Sequence, residues 1–195
     1  MSFGSSNAES GAKPALVRGK RSSRTRVGPL GVAAMGFAGY TGIMALLERR
    51  MRHSGGPGII PFELAGNASR AEQIMRAWGH DGQRAARWSL RLDFGYMLTY
   101  GALLALSVDR LRRKLGHPAA LPLLVAPAVA ADAIEGIYLF RVLAGRDIAA
   151  SAVGARIAAV TKFAILSVAM AYVLGFGAVA ATAASGVASA NQPTK

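Results

Sequence analysis

The chain has 195 residues, 52% of them hydrophobic, with a mean hydropathy of +0.32 and a formal net charge of +13. That apolar content exceeds what an ordinary soluble domain carries and points to one compact membrane-embedded unit. The absence of cysteine excludes disulfides and thiolate metal ligation, and the basic residues gather in an N-terminal tail and in loops beside apolar runs, which argues for anionic lipid headgroups and against nucleic acid.

The tail through Arg26 is rich in glycine, serine and basic residues and reads as disordered. The first apolar run, 27–47, holds no charge, is too long for a signal-peptide core and lacks a small-residue cleavage site, so a retained first span is expected. Ala34, Ala38 and Gly42 form a small-residue stripe along it, of the kind that lets helix backbones approach.

The connection over 48–87 is too long for a minimal turn and carries its own helix signals. Ser69 and Glu72 fit a capping box, and Ala71, Ile74, Met75 and Trp78 follow at helical spacing. Gly79 reads as a stop, and Asp81 as the cap of a helix that runs on into the second span. Trp78 and Trp88, with arginines between them, suit a headgroup layer. Together with Phe62 and Glu63 they are expected to form an interfacial platform, either an anchor or a surface for a partner.

The second span, 88–108, contains Arg91 and Asp93 near its start. The third, 119–140, contains Asp132 and Glu135, with Pro127 interrupting it one turn before the acids. The fourth, 157–182, contains Lys162 and a second small-residue stripe at Ala171 and Gly175. Residues 183–195 read as a flexible C-terminal tail. The expectation is therefore an all-α membrane protein with four transmembrane helices and a long, partly helical interfacial first loop.

Depth can be counted along each span. At 1.5 Å per residue Glu135 lies about 7 Å inside the end of span three, and Lys162 about 7 Å inside the start of span four. Those ends share a side, as does the start of span two with Asp93, while Asp132 lies one turn deeper on the face of Glu135. A charge at membrane depth costs about 2.5–3.5 kcal/mol at the helix centre, so these groups should face inward and pair. Glu135 with Lys162 is the best match. Asp132 is left to Arg91, to a tyrosine hydroxyl from Tyr96, Tyr100 or Tyr138, or to protonation. Such a cluster serves either as polar glue between helices or as a proton or ligand site.

His53, His80 and His117 fall in different loops, which removes a membrane haem pair and an HExxH zinc pair, so no metal or cofactor is expected. For a membrane enzyme, Glu63 with Asp93 is the sole candidate acid pair. Basic residues close to the first span weakly place both termini in the cytoplasm, and the arginine- and alanine-rich composition points to a bacterial inner membrane.

The stretch 61–101 resembles a group of small bacterial membrane proteins of unknown function that carry FELA, then a Trp, then Leu-Asp-Phe entering a helix, with an acidic pair in the third span. Phe62, Glu63, Leu64, Ala65, Trp78, Leu92, Asp93, Phe94, Asp132 and Glu135 are the matching positions, and Gly136 departs from an Asn usual in that group. The resemblance covers about half the chain and implies no activity. The function expected from the sequence is a non-catalytic membrane subunit or accessory protein that binds and stabilises a larger complex, with a membrane-protein partner. A small transporter or proton-coupled binder using Asp132, Glu135 and Lys162 is the alternative.

Overall fold

The computed structural model describes Met1 and residues 27–190, with side chains to residue 178. The tail before residue 27 and the last five residues lie outside the described residues. Among the described residues every element is helical, and three helices are long and apolar enough to cross a membrane: Pro29–His53, Leu121–Leu143 and Ile148–Ala178.

Helix α1 spans Pro29–His53. Proline at its first position is pre-set for helical φ and gives up an amide that would have no intrahelical partner. Arg50, Arg52 and His53 occupy the last turn, where cationic side chains oppose the negative end of the helix dipole. A short α2, Ile59–Glu63, follows. The Glu48 carboxylate accepts from the Ile59 amide at 2.9 Å, so α1 caps α2 from outside. Gly58 is needed for that approach, because a Cβ there would overlap the Glu48 carboxylate.

Helix α3 spans Ala68–Leu115. Its cap is Asn67, whose side chain accepts from the Arg70 amide at 2.8 Å, so the predicted Ser69–Glu72 box does not start this helix. Asx side chains are as effective there as serine, and Asn67 reaches the free amide first. At Gly79 the backbone leaves helical geometry with φ 57° and ψ −161°, and the Gln83 side chain donates to the Met75 carbonyl at 2.9 Å across the break. The loop between the first two spans is therefore nearly all helix, folded at one glycine. Gly116, with φ 70°, ends α3 in the left-handed conformation that glycine accepts at least cost.

A 3-10 turn at Leu121–Leu124 leads into α4, Val125–Leu143. Pro127 sits in the first turn of α4, inside the membrane-capable stretch Leu121–Leu143, just past the junction of the 3-10 turn and the helix. Helix α5 runs over Ile148–Ala190, starting earlier than predicted and continuing through part of the stretch read as a tail.

The long second half of α3 is the centre of the bundle. Helix α1 packs along it, α4 and α5 pack on each other, and both contact α3. The largest buried cluster lies beneath the folded loop and includes Met51, Phe62, Ile74, Trp78, Leu139 and Val142. Trp78 is 1% exposed, its ring 4.9 Å from that of Phe62, and its indole N–H donates to the Pro57 carbonyl. This corrects the platform expectation for Trp78 and Phe62. Both are core residues, because α2 and the first segment of α3 bury their apolar faces against each other and the bundle. Trp88 is half exposed, with the Arg91 guanidinium 5.1 Å from its ring centroid, an arrangement suited to a headgroup layer.

Among the described residues the small-residue stripes pack no helices together. Ala34, Ala38, Gly42, Ala171 and Gly175 are exposed, and a Cβ at Gly42 or Gly175 would meet nothing within 4 Å. Close approach falls at other glycines, with Gly95 under the Tyr40 hydroxyl and Gly154 under the Tyr138 ring. A period of four alone does not fix which face of a helix meets a neighbour.

Candidate functional site

The third-span acids lie three residues apart on α4 and turn to one face, where Asp132 is 3% exposed and Glu135 1%. Facing them from α5 is Lys162, 6% exposed. Its ammonium stands 2.9 Å from Asp132 Oδ1 and 2.7 Å from Glu135 Oε2, the second contact an ion pair outside hydrogen-bond geometry. The third carboxylate comes from α2, with Glu63 Oε2 at 3.8 Å from the same ammonium. The sequence pattern puts Glu63 on the interfacial platform. In the fold it joins the buried cluster, because α2 turns its last residue under the loop and into the bundle.

Asp132 is satisfied on both oxygens. The Tyr100 hydroxyl donates to Oδ2 at 2.6 Å while Lys162 donates to Oδ1. Of Tyr96, Tyr100 and Tyr138, Tyr100 is thus the donor. Tyr96 supports it from behind, its ring stacked on Phe37 at 5.5 Å and edge-on to Tyr100 at 5.8 Å, with its hydroxyl accepting from Thr41 at 3.2 Å. Tyr138 is not in the cluster. It packs on Gly154 with the Arg141 guanidinium 6.0 Å from its ring, since it lies on another face of α4. Arg91 likewise stays with Trp88 and does not reach Asp132.

The cluster forms one end of a cavity of about 760 Å³ bounded by α1, α3 and α5. Its walls are mainly apolar, from Phe37 and Met44 on α1, Leu104 on α3, and Phe163, Leu166 and Met170 on α5. Asp93, half buried, opens onto the same space. The acids of the FELA and LDF stretches, Glu63 and Asp93, and the acidic pair of the third span, Asp132 and Glu135, therefore converge around Lys162 or the cavity beside it. That motif was the signal that could have brought Glu63 into the site.

Charge balance decides what the arrangement can do. Three carboxylates touch one ammonium, and burial without compensation costs several kcal/mol per ion. Burial pushes the Glu63 carboxyl above its usual range, with the Lys162 charge opposing and the Asp132 charge adding to the rise. Glu63 Oε2 has no hydrogen-bond partner among the described residues. The cluster thus carries more carboxyl groups than the Lys162 ammonium alone balances. Among the described residues no group of three or more His, Cys, Asp or Glu side chains is arranged to hold a metal ion.

Comparison of the chain with protein families, curated proteins and solved structures finds no match.

Proposed function

We propose that the chain is a four-span membrane protein whose cavity binds a small amphipathic molecule against protonatable carboxylates, acting as a proton-coupled binder or transporter and not as an enzyme. The fourth span is the 88–108 segment of α3, which is embraced by the three membrane-capable helices. The observation that carries the reading is the acidic excess around Lys162 at the end of a mainly apolar cavity. A volume of about 760 Å³ suits a drug-sized molecule, since ligand pockets run from about 300 to 1,000 Å³. Polar glue alone would need neither the space nor the extra carboxylates.

The titratable groups facing the site come from every element: Glu48 from α1, Glu63 from α2, Asp93, Tyr96 and Tyr100 from α3, Asp132 and Glu135 from α4, and Lys162 from α5. Glu48 is engaged by Arg52 at 2.8 Å and by the α2 amide, which leaves Glu63, Asp93, Asp132 and Glu135 as the carboxylates of the proposed site. The test uses proteoliposomes with a trapped pH-sensitive dye and a panel of cationic, neutral and anionic amphiphiles. At least one amphiphile should drive proton movement that is lost in Asp132→Asn and Glu135→Gln. Absence of any response across the panel, with folded protein, overturns the reading.

A second reading, a non-catalytic subunit of a larger membrane complex in a bacterial inner membrane, draws on one observation. The Ala34, Ala38 and Gly42 stripe faces outward with open space before it. Purification in mild detergent followed by mass spectrometry tests it: a stoichiometric membrane-protein partner supports it, and a lone chain sinks it.

A further inference from the structure

The cavity offers recognition chemistry on two sides. At one end Glu63, 8% exposed, presents a carboxylate oxygen with no hydrogen-bond partner among the described residues, and Asp93 borders the same space from α3. Along the walls stand aromatic faces, Phe37 stacked on Tyr96 and Phe163 beside the cluster. The protein already holds one ammonium this way. The Lys162 Nζ is met by carboxylates and lies 4.7 Å from the Phe163 ring centroid, so carboxylate and π-face act together on a positive charge. An anionic headgroup would face an acidic excess that a single lysine, already engaged by three carboxylates, does not offset.

From the juxtaposition of the Glu63 carboxylate, 3.8 Å from Lys162 and with one oxygen free of hydrogen bonds among the described residues, of Asp93 and of the aromatic wall in one mainly apolar cavity, we propose that the ligand is a lipophilic monocation. Its charge sits between Glu63 and Asp93, and its apolar body lies along Phe37, Leu166 and Met170. The inference rests on the binding role proposed above and specifies the substrate class. Access follows from the packing. Helices α1 and α5 both line the cavity yet each packs on α3, and among the described residues they are not closely packed against one another. A cation dissolved in the bilayer therefore meets the cavity from the side, through the seam between them.

Two ions of matched shape and opposite charge separate the possibilities. Equilibrium dialysis of radiolabelled tetraphenylphosphonium against the purified chain should show saturable binding near one per chain, and tetraphenylborate should show none. Glu63→Gln and Asp93→Asn should each weaken the cation tenfold or more. Because a charge change in the cluster can disturb folding, Leu166→Trp serves as a second variant: it fills the wall without touching a charge and should abolish binding while the thermal transition persists. Saturable binding of tetraphenylborate alone overturns the cation assignment and leaves the cavity reading in place. Binding of neither ion overturns the assignment too, and labelling of the cluster by a hydrophobic carbodiimide, which adds to a protonated carboxyl as an N-acylurea, then shows whether the protonatable-site reading stands. Tetraphenylphosphonium binding unchanged in all three variants places the ion elsewhere and refutes the proposal.

Discussion

Replacing Lys162 with methionine removes the ammonium that, among the described residues, touches Asp132, Glu135 and Glu63, while keeping a side chain of similar length. The carboxylates are buried, at 3%, 1% and 8% exposure, so little solvent replaces the lost partner. Breaking a buried ion pair by deleting one partner costs about 3–5 kcal/mol, and here three acids lose the same partner. For a domain of this size each kcal/mol moves Tm by roughly 2–4 °C, so the expected fall is on the order of 10 °C. Intrinsic tryptophan fluorescence reads the transition directly, because Trp78 is buried against Phe62 and is exposed on unfolding. Adding Glu135→Gln to the variant should restore a large part of the loss, since the charge then left unbalanced is smaller. The two changes touch one network and must be non-additive. A Lys162→Met protein that melts within about 2 °C of wild type, or a double variant whose losses simply sum, would refute the assignment of Lys162 as the charge that holds the cluster together.

The remaining predictions concern other contacts. Tyr100→Phe deletes the hydroxyl donating to Asp132, a bond to a charged group worth about 1.5–3 kcal/mol, and the drop should appear in the same melting assay; no change would show that the hydroxyl does not stabilise Asp132. Gly79→Ala forces a side chain onto φ 57° and should cost about 1–3 kcal/mol, whereas Gly175→Ala, helical and facing open space, should be neutral or gain up to about 1 kcal/mol, so equal effects would show that backbone strain is not the cause. Because burial raises the Glu63 carboxyl, the folded chain binds that proton more tightly than the unfolded chain does. Its stabilising share is complete below the ordinary value of 4.5 and is lost as pH rises through the higher folded value, so melting temperature should decline over that window and Glu63→Gln should flatten the decline. An unaltered slope in Glu63→Gln would remove Glu63 as its source.

Much of the architecture is present in the order of residues. Uninterrupted apolar runs longer than a bilayer core leave a helix as the means of satisfying backbone amides, and the runs containing Ala34, Asp132 and Lys162 are the helices long and apolar enough to cross. Depth was legible for the same reason. A fixed rise per residue puts Glu135, Asp132, Lys162 and Asp93 at neighbouring heights before any packing is known. What a residue count does not supply is rotation about each helix axis, which neighbouring side chains decide. That rotation selects Tyr100 over Tyr138 as the donor to Asp132, brings Asp132 as well as Glu135 onto Lys162, and turns the Ala34, Ala38 and Gly42 stripe outward. The loop depended still more on the tertiary structure. Its amphipathic segments found an apolar surface in each other, so the fold at Gly79 buried Trp78 and Phe62 and carried Glu63 into contact with a lysine ninety-nine positions away in sequence.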